Sequence, residues 1–193
     1  MRTAFLDIET TRLEADEGVG YILCASMKLQ GPKLPVTTFR IDSNPKYGKR
    51  LKSGQFNLTD DSEVVKAVFK WLTKHDPEFL VWHYGDFFDG PYLNSRGAAL
   101  NLGRLPLSRT VDTWKLARYN LKLGRSSLAS IAEHLGLKEQ KMAVEKRVWQ
   151  RAAYGSTKDM NTLVSRCESD VRVLEAVFEK TVPLLRKLRG GLF

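Results

Sequence analysis

Asp7 and Glu9, in the run Phe5-Leu6-Asp7-Ile8-Glu9-Thr10, are the residues whose type and spacing most directly suggest chemistry. The run is apolar and β-prone, and successive side chains of a strand alternate faces, so carboxylates two positions apart point to the same side. Two anions held side by side need a cation. A half-buried strand with a polar outer face would also accommodate them, so the other acidic positions have to decide.

Asp89 lies in His83-Tyr84-Gly85-Asp86-Phe87-Phe88-Asp89-Gly90-Pro91-Tyr92-Leu93, just beyond the apolar run Phe79-Leu80-Val81-Trp82 and where the next helix begins. Two residues before Pro91, it also reads as a helix N-cap. Asp170 belongs to a long helix whose inward face is Leu163, Cys167, Val171, Leu174 and Phe178, which sets it at the edge of the core stripe. A half-buried anion must be paired or bind a metal. The ordinary partner is Arg166, one turn earlier. If Asp7, Glu9, Asp89 and Asp170 meet, they form a cluster of oxygen-only ligands suited to Mg²⁺ or Mn²⁺. Two such ions about 3.5 to 4 Å apart make the clamp used for in-line phosphoryl displacement.

The elements that must position these residues follow from periodicity. Residues 3–8, 20–29 and 34–41 read as three successive antiparallel strands, separated by Gly, Pro and charged turns. A polar segment, 42–57, precedes Thr59-Asp60-Asp61-Ser62-Glu63, an acidic helix start, and the helix continues through Val64, Val65, Val68, Phe69 and Leu72. Phe79 to Trp82 is a central strand and 109–111 a further one. Helices are predicted over 91–100, 113–121, 127–135, 144–153 and 161–188. The fold class is α/β, with a mixed central sheet flanked by helices and a helical C-terminal half.

The 193 residues suffice for one substantial core and are short for two, so 1–193 is read as a single domain. Lys and Arg number 31 against 22 Asp and Glu, a net charge of +9 that favours a polyanionic partner, nucleic acid first. Cys24 and Cys167 sit in apolar patterns as buried free thiols do, which implies a reducing compartment. No run approaches the roughly 18 apolar residues of a membrane span. The expectation is a soluble, cytoplasmic protein without a membrane partner.

At these residues the chain resembles the four-carboxylate (DEDD) 3′-to-5′ exonucleases of the ribonuclease H-like fold, most closely the proofreading exonuclease domain of family B DNA polymerases. The motifs are Phe5-Leu6-Asp7-Ile8-Glu9-Thr10, the run from Phe88 to Arg96, and Cys167-Glu168-Ser169-Asp170-Val171-Arg172-Val173-Leu174. Val111 to Ala117 and Ser127 to Leu137 look like the polymerase segments between them, so the likeness spans nearly the whole chain. The resemblance implies removal of nucleotides from a free 3′ end, with DNA favoured as substrate. It implies Asp7, Glu9, Asp89 and Asp170 as catalytic metal ligands for two divalent cations, Mg²⁺ or Mn²⁺. Thr10, Tyr84, Phe88 and Arg166 fall to the substrate. No polymerase segment is present, so a free-standing exonuclease or a separate subunit is expected, with a replication or repair protein as a partner.

Two positions depart from that family. A Tyr four residues before the last Asp, or a His five before it, commonly orients or deprotonates the attacking water, whereas this chain has Arg166 and Ser165. Arginine stays protonated and is no base. Tyr84 stands where many relatives have Asn. A nucleic-acid-binding or complex-forming module with weakened catalysis, or a structure-selective endonuclease on the same fold, are the alternatives.

Other features have plainer readings. Lys46-Tyr47-Gly48-Lys49-Arg50-Leu51-Lys52 combines basic and aromatic residues as single-strand sites do, or is a solvated loop. His134 falls at a helix end before Gly136, where a cation is favoured. Trp71, Trp82, Trp114 and Trp149 read as core, Asp112 as a helix cap, and Arg189 to Phe193 as a frayed tail or a docking peptide.

Overall fold

The computed structural model describes residues 2–16, 18, 20–47, 57–107, 109–139 and 142–184. Its strands are β1 (Thr3–Thr10), β2 (Ile22–Leu29), β3 (Thr37–Arg40), β4 (Phe79–Trp82) and β5 (Thr110–Asp112). They form a mixed sheet in the order β3-β2-β1-β4-β5, with β1, β2 and β3 antiparallel and β4 and β5 parallel to β1. The helices are α1 (Ser62–His75), α2 (Asp89–Ala99), α3 (Thr113–Asn120), α4 (Leu128–His134), α5 (Arg147–Ala153) and α6 (Thr157–Thr181). Among the described residues, no helix is long and apolar enough to cross a membrane.

β1 is central and covered on both sides, so nearly every position is buried, its polar residues Thr3, Glu9 and Thr10 included. Ala4, Leu6 and Ile8 share a core with Val65, Val68 and Leu72 of α1 and Leu93 of α2. On the other face Phe5 packs with Val81, with Ile131 of α4 and with Val171, Leu174 and Val177 of α6. Asp7 and Glu9 follow Phe5 in alternation, so the pleat directs both toward the α6 side. Cys24 and Cys167 are buried free thiols.

Several boundaries shift, each for a local reason. The strand expected over 34–41 is confined to Thr37–Arg40, because Pro35 lacks a ladder donor and Ile41–Ser43 turns into a 3₁₀ segment. The last helix starts at Thr157 rather than 161, since the Ser156 hydroxyl caps it by accepting from Asp159 N–H at 3.3 Å. The α-helix ends at Thr181, and a 3₁₀ turn, Val182–Leu184, carries the chain through Pro183. The expected tail at Arg189 to Phe193, residues 185–188 of the expected last helix, and 48–52 of the basic loop lie outside the described residues. The loop residues that are described are structural. Lys46 pairs with Asp60, while Tyr47 is buried and its hydroxyl accepts from Thr59 N–H at 3.0 Å.

Two devices fix the elements around the sheet. Asp61, fully buried at the start of α1, is gripped by Arg96 of α2 through Nη2 at 2.7 Å and Nε at 2.9 Å, and it accepts from Ile22 N–H at 2.9 Å. Beyond β4 the chain folds tightly back over Trp82. A Cβ on Gly85 would stand 2.1 Å from the Trp82 ring, so only glycine permits that approach.

Candidate functional site

Three carboxylates converge. Asp7 and Glu9 of β1 and Asp170 of α6 each offer an oxygen, and these atoms lie within 4.8 Å of one another. α6 is locked against the strand here: the Cys167 thiol, one turn before Asp170, donates to the Asp7 carbonyl oxygen at 3.2 Å. Asp170 is 1% exposed and Glu9 8%, so water does little to screen their repulsion. Burial raises the Glu9 pKa, against the lowering effects of Arg166 and Trp149.

The cation in this structure is Arg166. Its Nε donates to Glu9 Oε1 at 2.7 Å and its Nη2 lies 3.6 Å from Asp170 Oδ2. The expected pairing with Asp170 is therefore present but is the looser of the two. Nη1 donates to the Met142 carbonyl at 2.6 Å, and the guanidinium lies over the Trp149 ring, 5.2 Å from its centroid. Burial works against this charge, but Glu9 and Asp170 outweigh it and raise the Arg166 pKa. The Trp149 indole N–H donates to the remaining oxygen, Glu9 Oε2, at 2.8 Å. Trp149, half-buried and packed against the core as expected from sequence, is thus a site residue as well. Its signal was faint: it sits one position from buried Val148 on α5, at the margin of the apolar face.

Asp89 stands beside this cluster. It is the first residue of α2, makes no N-cap, and turns toward β1, where its Oδ1 accepts from Ile8 N–H at 3.2 Å. The sequence reading of Asp89 as a cap therefore gives way to a bond with the residue between Asp7 and Glu9. Burial pushes its pKa up to about 7, with backbone hydrogen bonds opposing and the charges of Asp112 and Glu9 adding. Asp112 is the cap expected of it. Its carboxylate accepts from Trp114 N–H at 2.8 Å, and also from Tyr84 N–H at 2.8 Å and Asp86 N–H at 3.2 Å.

The four residues assigned to substrate separate into three places. Thr10 and Phe88 line an apolar-walled cleft of about 500 Å³ that opens on Glu9, together with Leu13, Lys146 and Trp149. The Thr10 hydroxyl is engaged with the Arg12 carbonyl at 2.6 Å. Arg166 sits among the carboxylates, and Tyr84 is exposed on the loop after β4. His134 ends α4 on the surface, away from a buried setting.

A hard divalent cation fits the Asp7, Glu9 and Asp170 set by donor type and spacing. Asp7 Oδ2 and Asp170 Oδ1 are buried and accept no hydrogen bond from the described residues, although neither residue is without a partner. Each Glu9 oxygen keeps a second lone pair beside its bond to Arg166 or Trp149, so an ion there would share the carboxylate with them or displace them.

This fold and carboxylate centre define a class. The RNase H superfamily model matches residues 4–182, and the chain belongs to that superfamily. No curated protein matches the chain. Among solved structures it is similar to the family B DNA polymerase of the hyperthermophilic archaeon Pyrobaculum calidifontis. The TM-score is 0.70 at 19% identity, over 94% of this chain and 24% of the polymerase. The chain thus spans about a quarter of that polymerase, and the likeness is one of fold.

Proposed function

We propose that this chain is a metal-dependent 3′-to-5′ exonuclease that releases nucleoside 5′-monophosphates from nucleic acid, DNA in preference. The observation that carries this reading is the convergence of Asp7, Glu9 and Asp170 within 4.8 Å on a ribonuclease H-like sheet. The motif resemblance adds Asp89 as the fourth carboxylate and two divalent ions, Mg²⁺ or Mn²⁺. Such ions, when bound, generate the water nucleophile and neutralise charge on the transferring phosphoryl group.

The chain's own residues set the geometry. Asp7 and Glu9 hold one side of the centre from the rigid central strand, and Asp170 holds the other from α6. Phe88 and Trp149 wall the cleft in which the terminal nucleoside lies, with Lys146 beside it for a phosphate. Arg166, always protonated, holds a phosphate or a carboxylate and removes no proton. Nucleic acid with a free 3′ end is the proposed partner. A replication or repair protein is the proposed setting, because the polymerase above carries this fold within a longer chain.

One observation favours a second reading, a nucleic-acid-binding module with weakened catalysis: Arg166 already neutralises Glu9 in the absence of metal. Digestion of 5′-labelled and 3′-labelled DNA and RNA oligonucleotides with Mg²⁺, Mn²⁺ or chelator separates the two. The exonuclease releases the 3′ label at once, shortens the 5′-labelled strand stepwise, spares a circular strand, and is silenced by chelator or Asp7→Asn. Hydrolysis of equal rate in Asp7→Asn would assign the activity elsewhere, and binding without hydrolysis in any metal would select the second reading.

A further inference from the structure

A group of exposed and half-buried aromatic and basic side chains lies outside the carboxylate centre, where β4 and β5 leave the sheet. The Tyr84 and Phe87 rings lie 5.1 Å apart, tilted by 32°, and the Trp114 ring meets both edge-on at 5.4 and 5.9 Å. These are not core residues, since Tyr84 is 46% and Phe87 54% exposed. The Lys115 ammonium lies 5.0 Å from the Phe87 centroid and is held there by an ion pair with Asp86 at 2.5 Å, so Arg118 is the freer cation of the group. α3 continues the pattern. It buries Thr113, Leu116 and Ala117, and turns Arg118 and Tyr119 outward one turn beyond Trp114 and Lys115.

The backbone is held in an uncommon conformation to present these rings. Tyr84 has φ +63°, a left-handed geometry that bulky residues rarely adopt. Asp112 maintains it by accepting from both Tyr84 and Asp86 N–H. Backbone strain retained by a buried carboxylate is a reason to look for function at the strained residue. The same conformation closes the turn, with Phe87 and Phe88 N–H both donating to the Tyr84 carbonyl at 3.1 Å, and it leaves Tyr84 46% exposed.

Position and charge identify the occupant. Val81 of β4 is level with Phe5 of β1, and Trp82 with Asp112 of β5. The loop after β4 therefore emerges at the same sheet edge as Asp7 and Glu9. β5 and the start of α3 lie two strand spacings from β1, about 10 Å. A line of stacking rings with interleaved cations is what a groove for single-stranded nucleic acid is made of. We infer that Tyr84, Phe87 and Trp114, continued by Lys115, Arg118 and Tyr119, form a stacking platform for a single strand of nucleic acid. The strand lies with its 3′ end toward the carboxylates and one base, a few nucleotides from that end, on Phe87. This rests on the function proposed above and adds to it where the strand runs and that unpaired bases are what it grips.

The test is a binding cycle that needs no hydrolysis. A fluorescein-labelled oligodeoxythymidylate of roughly twelve nucleotides, within the length such grooves track, is titrated by anisotropy in chelator. The protein is wild type, Phe87→Ala or Phe87→Trp, and the strand is intact or abasic at one position at a time. At one position near the 3′ end the missing base should weaken wild-type binding about fivefold or more, and leave Phe87→Ala unaffected. Phe87→Trp should bind like wild type. Arg118→Gln should flatten the dependence of log affinity on log salt by about one phosphate contact. If Phe87→Ala binds the intact strand as tightly as wild type, or is equally sensitive to every abasic position, the platform is wrong while the exonuclease reading stands. If wild type binds no single strand at low salt, both readings fail together.

Discussion

At Glu9 an intramolecular cation holds the carboxylate that the proposed metal ion would use. Arg166 and Trp149 each hold one oxygen of that carboxylate, and the guanidinium also compensates Asp170. Removing one partner of a buried pair leaves a charge uncompensated, at a cost of about 3 to 5 kcal/mol. Arg166→Ala should therefore lower the melting temperature of the metal-free protein. It should also bind Mn²⁺ about tenfold more tightly, since a charge-assisted hydrogen bond of about 1.5 to 3 kcal/mol no longer opposes the ion. Calorimetric titration and thermal melts with and without Mn²⁺ check both halves. An Arg166→Ala protein with wild-type melting and wild-type metal affinity would mean the guanidinium does not balance this centre. Trp149→Phe, which keeps the ring but not the indole N–H, should also raise metal affinity, by less, because it frees a single neutral hydrogen bond.

Among the elements, the pairing of Asp61 with Arg96 is the joint on which the carboxylate strand's surroundings depend. One carboxylate ties the start of α1 to α2, whose first residue is Asp89, and to β2, which pairs with the carboxylate strand. Asp61→Ala strands the Arg96 guanidinium and the Ile22 N–H, and should cost about 3 to 5 kcal/mol. A denaturant midpoint near wild type would show that the pair is not buried as described. Sequence patterns anticipated the strands and helices that matter here because each has a periodic apolar face. Asp7 and Glu9 were legible because the two-residue period of a strand is rigid. Asp61 was visible only as part of an acidic helix start, since its partner lies 35 residues away on another helix. Trp149 escaped for the same reason, its partner Glu9 being 140 residues distant. Periodicity reports which face is buried and says nothing of which distant group a polar atom meets.

For the whole molecule, the distribution of charge says more than its total. Among the described residues seven carboxylates are buried (Glu9, Asp61, Asp89, Asp112, Asp159, Asp170 and Glu175), against two basic side chains, Lys28 and Arg96. Acidic residues are drawn inward to pair, cap and cluster, so the solvent-facing surface is more basic than the net charge of +9 suggests. A strand bound to such a surface displaces counterions, and log affinity should fall linearly with log salt, with a slope of about −0.7 per phosphate contacted. For about five contacts the loss is about 10²-fold between roughly 50 and 200 mM salt. The Asp7→Asn protein is the one to measure, because a strand that is not consumed gives a true equilibrium. Its slope should match that of wild type in chelator, since the proposed role of Asp7 is to hold the metal and not the phosphate chain. An affinity indifferent to salt would remove nucleic acid as the partner, whereas a normal slope with no hydrolysis by wild type in Mg²⁺ or Mn²⁺ would leave the basic surface standing and place the defect at Arg166.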